Sequence, residues 1–122
     1  MLRLSFGLLL TTAVLGGLLA ALRLRSRNAS AGWIPGVLHG VCGVIGLIAL
    51  LFALRGPPRG EAMGVASFGR IAALLLTIAL VAGLAILVLR LRRHPMTSLI
   101  IGIHATIAIA GIVMLAAYTL VG

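Results

Sequence analysis

Four apolar runs, each long enough to cross a lipid bilayer, divide this chain. They cover residues 4–22, 34–54, 71–89 and 96–121, give or take a few positions at each end. An α-helix rises 1.5 Å per residue, so about 20 residues span the roughly 30 Å hydrocarbon layer. Inside that layer no water serves the backbone amides and carbonyls, and only a helix or a closed barrel satisfies them. Long runs without strand-like alternation choose the helix. The expectation is an all-α fold: an integral membrane four-helix bundle, one domain over residues 1–122, surrounded by a lipid bilayer.

The charges agree with that reading. The chain has ten arginines, no lysine and one acid, Glu61, for a net charge of +9. The arginines cluster at the ends of the apolar runs, where membrane proteins keep them. No soluble basic domain exists to present them to a nucleic acid, which excludes that partner. Arg23, Arg25 and Arg27 lie in the connection 23–33, and Arg90, Arg92 and Arg93 in the connection 90–95. Arg3, Arg55, Arg59 and Arg70, partly offset by Glu61, lie on the other side. The bias predicts loops 23–33 and 90–95 in the cytoplasm and both termini outside, in a membrane such as the bacterial inner membrane. Asn28-Ala29-Ser30 matches a glycosylation acceptor but falls on the expected inner side. An Ala-Ser-Ala triplet at 29–31 follows the first run, but three arginines intervene, so the first run is expected to be retained. Cys42, the only cysteine, lies within an apolar run, which rules out an internal disulfide or a cysteine-based zinc or iron–sulfur site.

An internal repeat organises the runs. LLLTTAVLGGLLAALRLR at 8–25 matches LLLTIALVAGLAILVLRLR at 74–92, read with one extra residue in the second copy. LHGVCGVIGL at 38–47 matches IHATIAIAGI at 103–112. The repeat units run over about 4–54 and 71–121. Each contains two spans, so the copies share one orientation and are related by a pseudo-two-fold axis along the membrane normal.

The repeat makes His39 and His104 equivalent: they are 65 residues apart, and the same offset takes Gly46 to Gly111. Both fall roughly 8–12 Å inside the cytoplasmic end of their helices. Ionisable residues within a membrane are costly, face the bundle interior and mark function by default. The plain alternative is two structural histidines, each hydrogen-bonded to a neighbouring helix. Gly36, His39, Gly43 and Gly46 share one helix face, as do His104, Ala108 and Gly111. Such faces leave room either for close helix contact, with Gly32/Gly36 and Gly36/Gly40 at GxxxG spacing, or for a flat ligand. Gly16, Gly17 and Gly83 fall at the depth of the two histidines on the other two spans. Two neutral imidazoles flanked by glycines suit a six-coordinate haem with one histidine on each side. A lone zinc or copper would want further donors. His94, beside Pro95, is read as a helix-start residue. Most of the arginines at the cytoplasmic edge serve topology, and one or two suit haem propionates. The candidate site is therefore His39 and His104 as metal ligands, with Gly16, Gly17, Gly43, Gly83 and Ala108 around the cofactor. No residues are expected to be catalytic: the chain shows no nucleophile–base pair, acid pair or phosphate-binding loop.

On these residues the chain resembles the membrane b-type cytochromes, the cytochrome b561-like and cytochrome b four-helix cores. In the cytochrome b core, histidines on the second and fourth helices hold haem and glycines on the first and third make room. The resemblance carries that pattern onto His39, His104, Gly16 or Gly17, and Gly83, and implies haem b as cofactor. It also shows a departure. Two-haem members carry a second histidine about two heptads along each ligand helix, and here those positions are Ala53 and Tyr118. The function this implies is that of a single-haem electron carrier working near the cytoplasmic face. Its partner would be a quinone or a redox protein, and it would act alone, as a homodimer or as a subunit of a larger membrane complex. Two other readings remain open: a haem-free scaffold or accessory subunit packing through its Gly/Ala faces, and a small transporter with the histidine pair relaying protons. Against the transporter stands the lack of any membrane-embedded acid.

Overall fold

A computed structural model describes residues 1–25, 33–94 and 98–121. The expectations for Arg27, the Asn28-Ala29-Ser30 and 29–31 triplets, and Pro95 lie outside them. The described residues form four long helices: α1 (Leu2–Arg25), α2 (Trp33–Ala53), α3 (Phe68–Leu91) and α4 (Ser98–Val121). All four are long and apolar enough to cross a membrane, and the fold is an all-α four-helix bundle. Helices α1 and α3 run past the apolar stretches into turns bearing Arg3, Arg25, Arg70 and Arg90. Arginine permits this because its long stem lies along apolar surface while the guanidinium reaches water. Large side chains such as Leu18, Leu51, Leu74 and Ile109 point outward from the four helices. That surface marks an integral membrane protein whose surroundings are lipid.

The helices pack as a ring. α1 lies along α2 and α3 along α4, each pair in extensive contact, and the two hairpins meet along thinner α1–α4 and α2–α3 seams. α2 and α4 therefore occupy one diagonal of the bundle. The buried core is confined to one end, where α1 and α3 begin and α2 and α4 finish: Leu2, Leu50, Ala72, Leu76, Leu115 and Tyr118 meet there. Gly69 brings α3 against this core, since a Cβ there would lie 2.6 Å from Leu54 Cδ2 and 2.8 Å from Tyr118 Cε1. Buried hydroxyls are satisfied within their own helices: Ser5 donates to Leu2 O (2.8 Å), Thr12 to Leu8 O (2.8 Å) and Thr119 to Leu115 O (2.7 Å). The other end of the bundle, around the histidines, is hollow.

One detail differs from the sequence expectations and a second adds to them. The first is the register of the repeat. A Cβ on Gly46 would meet Leu9 Cγ at 2.8 Å and Leu8 Cβ at 3.3 Å, and one on Gly111 would meet Leu76 Cγ and Leu75 Cβ at the same two distances. Leu9 thus corresponds to Leu76, 67 positions on, with no residue inserted inside α3. Pairing Leu8–Thr11 with Leu74–Thr77 is one residue out of step, because a run of leucines matches itself at adjacent registers. The second is His94. Arg93 takes a left-handed conformation (φ 56), its N–H donates to Arg90 O (3.0 Å), and the His94 N–H donates to Leu89 O (3.0 Å). This is a Schellman cap. His94 therefore takes part in closing α3, and whether it also starts α4 lies outside the described residues. In the α2–α3 connection, Gly60 and Gly64 supply two further left-handed turns around the short 3-10 helix Glu61–Met63.

Candidate functional site

His39 on α2 and His104 on α4 face each other across the diagonal. Their ring centroids are 6.2 Å apart and their planes cross at 77°. Each ring leans on the other helix of its own hairpin. His39 Nδ1 lies 2.8 Å from Thr12 O on α1, and His104 Nδ1 lies 2.9 Å from Ala79 O on α3. A carbonyl only accepts, so Nδ1 carries the proton and donates in both rings. A neutral imidazole then keeps its lone pair on Nε2, the arrangement found where histidines ligate metals and their other nitrogen is held by a carbonyl.

The two acceptors lie one helical turn before Gly16 and Gly83 respectively, the same 67-residue pairing. A Cβ at Gly16 would sit 2.7 Å from His39 Cε1, and one at Gly83 would sit 3.0 Å from His104 Cε1. These glycines make room for the imidazoles themselves, so that each ring can reach a backbone carbonyl. Gly17 does not seat an imidazole, since a Cβ there would meet nothing within 4 Å, but it lines a cavity between α1 and α4. Gly43 receives the methyl of Thr12, whose Cγ2 would be 3.4 Å from an added Cβ. Ala108 stands beside the histidines on α4.

Two cavities flank the pair. One of about 440 Å³ lies chiefly between α2 and α3. The other, of about 220 Å³, lies chiefly between α1 and α4. Both are bounded by His39, His104, Gly36, Gly83 and Ala108. They continue one slot that runs between the hairpins, with one histidine from each hairpin at its middle. The walls are almost wholly apolar. Arg90 is the one charged side chain lining either cavity among the described residues, and its Nη1 lies 4.0 Å from the Cβ position of Gly36. No group of three or more His, Cys, Asp or Glu converges among the described residues. The site therefore offers two nitrogen donors and an apolar slot, and His94, in the α3 cap, lines neither of these two cavities.

Sequence reasoning found the two histidines and the two glycines at their depth. It missed Thr12 and Ala79, because the contributing groups are main-chain carbonyls that any residue carries. A signal existed only in retrospect: each acceptor stands four positions before a glycine.

Fold and site together define a class, a membrane-spanning four-helix bundle with a symmetric pair of half-buried imidazoles. Compared with models of known protein families, with curated proteins and with solved structures, the chain matches none.

Proposed function

We propose that the chain is a single-haem, b-type membrane cytochrome with His39 and His104 as the two axial ligands. One observation carries the reading. Two metal–imidazole bonds of about 2 Å each, plus the distance from each nitrogen to its ring centre, give a centroid separation of about 6 Å. The two rings stand 6.2 Å apart. The donor chemistry fits as well, since the carbonyls of Thr12 and Ala79 hold both rings in the tautomer that leaves Nε2 free. The slot volume lies within the range of sites for small molecules and cofactors. When bound, haem supplies a one-electron couple.

The chain's own residues do the rest. The apolar walls of the slot keep water from the metal site. Arg90 offers a cation to an acidic edge of the cofactor. With both imidazoles as its ligands a haem would have no open position for a small substrate, so an electron carrier or a subunit of a larger redox complex fits better than a stand-alone enzyme. Tyr118 and the packed core occupy the far half, where a second haem would need a histidine. Electrons then enter and leave on the side of loops 23–33 and 90–95, which the arginine bias assigns to the cytoplasm of a bacterial inner membrane. The exchange partner is a membrane quinone or a redox protein, reached by one chain, a homodimer or a larger assembly.

The test is the absorption spectrum of purified protein, oxidised and reduced. The expected result is a sharp reducible haem band, lost in His39→Ala and His104→Ala. His39→Asn separates ligation from structure. Its side-chain amide can replace the Nδ1–H donor to Thr12 O, so it keeps the fold and still loses the band. Colourless wild-type protein after expression with ample haem overturns the reading. The imidazole–carbonyl bonds then stand as interhelical bonds of a haem-free accessory subunit, identified by a partner that co-purifies with both alanine variants.

A further inference from the structure

The two imidazoles are equivalent in the repeat, yet their planes are far from parallel: they cross at 77°. The pseudo-two-fold axis accounts for this. It carries a tilted plane into one tilted the other way, so two equivalent rings are parallel only if each plane contains the axis or lies across it. Each ring is also held against turning. The helix places Cγ, a carbonyl holds Nδ1 and a glycine face receives Cε1, and three atoms define a plane. For His39 the carbonyl of Thr12 accepts at 2.8 Å, and Gly16 leaves open the space that a Cβ would take 2.7 Å from Cε1. For His104 the matching distances are 2.9 Å to Ala79 O and 3.0 Å at Gly83. Thr12 and Ala79 are buried, and the Thr12 hydroxyl donates to Leu8 O, so the acceptors are themselves fixed.

Resting on the haem reading above, we infer that Gly16 and Gly83, with the Thr12 and Ala79 carbonyls, are positioning residues that hold the two ligand planes crossed and so tune the redox couple. An imidazole on low-spin ferric iron donates π density to the one d orbital whose lobes face its plane. Parallel rings act on the same orbital and split it from its neighbour. Crossed rings act on one orbital each and leave the two nearly equal in energy. Crossing therefore withholds a stabilisation of the ferric state that parallel rings would supply, and favours the reduced form. Orientation of a ligand by its outer hydrogen bond is one of the levers a protein has over a bound metal.

The experiment takes electron paramagnetic resonance spectra and redox titrations of the purified, haem-loaded full chain. Wild type is expected to give the strongly anisotropic ferric signal of crossed rings, dominated by a single low-field feature. A crossing of 77° is close to a right angle, so turning either ring chiefly lowers it. Gly16→Ala is expected to keep the haem absorption band, move toward the rhombic signal of parallel rings and titrate at a lower potential. Gly83→Ala is expected to do the same to a smaller extent. Gly46→Ala overpacks the same hairpin as Gly16→Ala, but against Leu9 (2.8 Å) rather than an imidazole, and is expected to change neither readout. A rhombic signal from red wild-type protein overturns the crossing and leaves the haem reading standing, whereas colourless wild-type protein removes both. Wild-type signal and potential in both Gly16→Ala and Gly83→Ala, or equal shifts in Gly46→Ala, overturn the positioning role. If Gly16→Ala loses its haem, Gly83→Ala carries the test, and loss from both overturns tuning in favour of a requirement for binding.

Discussion

An imidazole within a membrane bundle has two nitrogens to satisfy, and here a backbone carbonyl takes one of them in each half-buried ring. The Thr12 and Ala79 carbonyls are within reach only because Gly16 and Gly83 have no side chains. Gly16→Ala is therefore expected to push His39 off its acceptor, since overpacking of this kind costs about 1–3 kcal/mol. Unfolding in detergent should show that loss. Gly83→Ala should show less, because its Cβ would sit 0.3 Å farther from its ring (3.0 against 2.7 Å). Gly17→Ala, one residue along and in open space, should instead gain up to about 1 kcal/mol from the better helix former. The contrast between positions 16 and 17 was not legible in the sequence. Two adjacent glycines at the right depth look alike until the rotation of α1 against α2 is known.

At the scale of the helices, the repeat is a statement about hairpins. Each hairpin buries the same contact, Gly46 on Leu9 and Gly111 on Leu76, at the same distance. Gly46→Ala and Gly111→Ala should destabilise by similar amounts, about 1–3 kcal/mol each by overpacking, measured as loss of thermal stability in detergent. Clearly unequal losses would mean that the hairpins are not packing equivalents. The spans themselves were legible, because each is decided locally by some 20 apolar residues and their flanking arginines. The pairing of α1 with α3 was not, because poly-leucine similarity carries no register. The 67-residue correspondence shows only where side chains interlock. The cap that ends α3 was not legible for a related reason. His94 beside Pro95 resembles a helix start, yet Arg93 adopts the left-handed turn that glycine usually supplies.

The whole molecule divides into a packed half and a hollow half. Tyr118, 4% exposed, anchors the packed half with Leu50 and Leu115. Tyr118→Ala should cost about 3–5 kcal/mol, the range for deleting a large buried aromatic, while leaving in place the absorption band of the proposed haem. A stability assay and an absorption spectrum of the same sample test that separation, and loss of the spectrum in still-folded protein would contradict it. By itself the sequence determined the membrane, the helix count and the equivalence of His39 and His104, since hydrophobicity and repetition are properties of the chain as written. Only the tertiary structure decided that the two rings lie 6.2 Å apart, that glycines seat the imidazoles, and that the slot is wider beside α2 than beside α4. Those depend on how helices rotate and splay against one another, which is settled by side chains meeting across the bundle and has no counterpart in the order of residues along it.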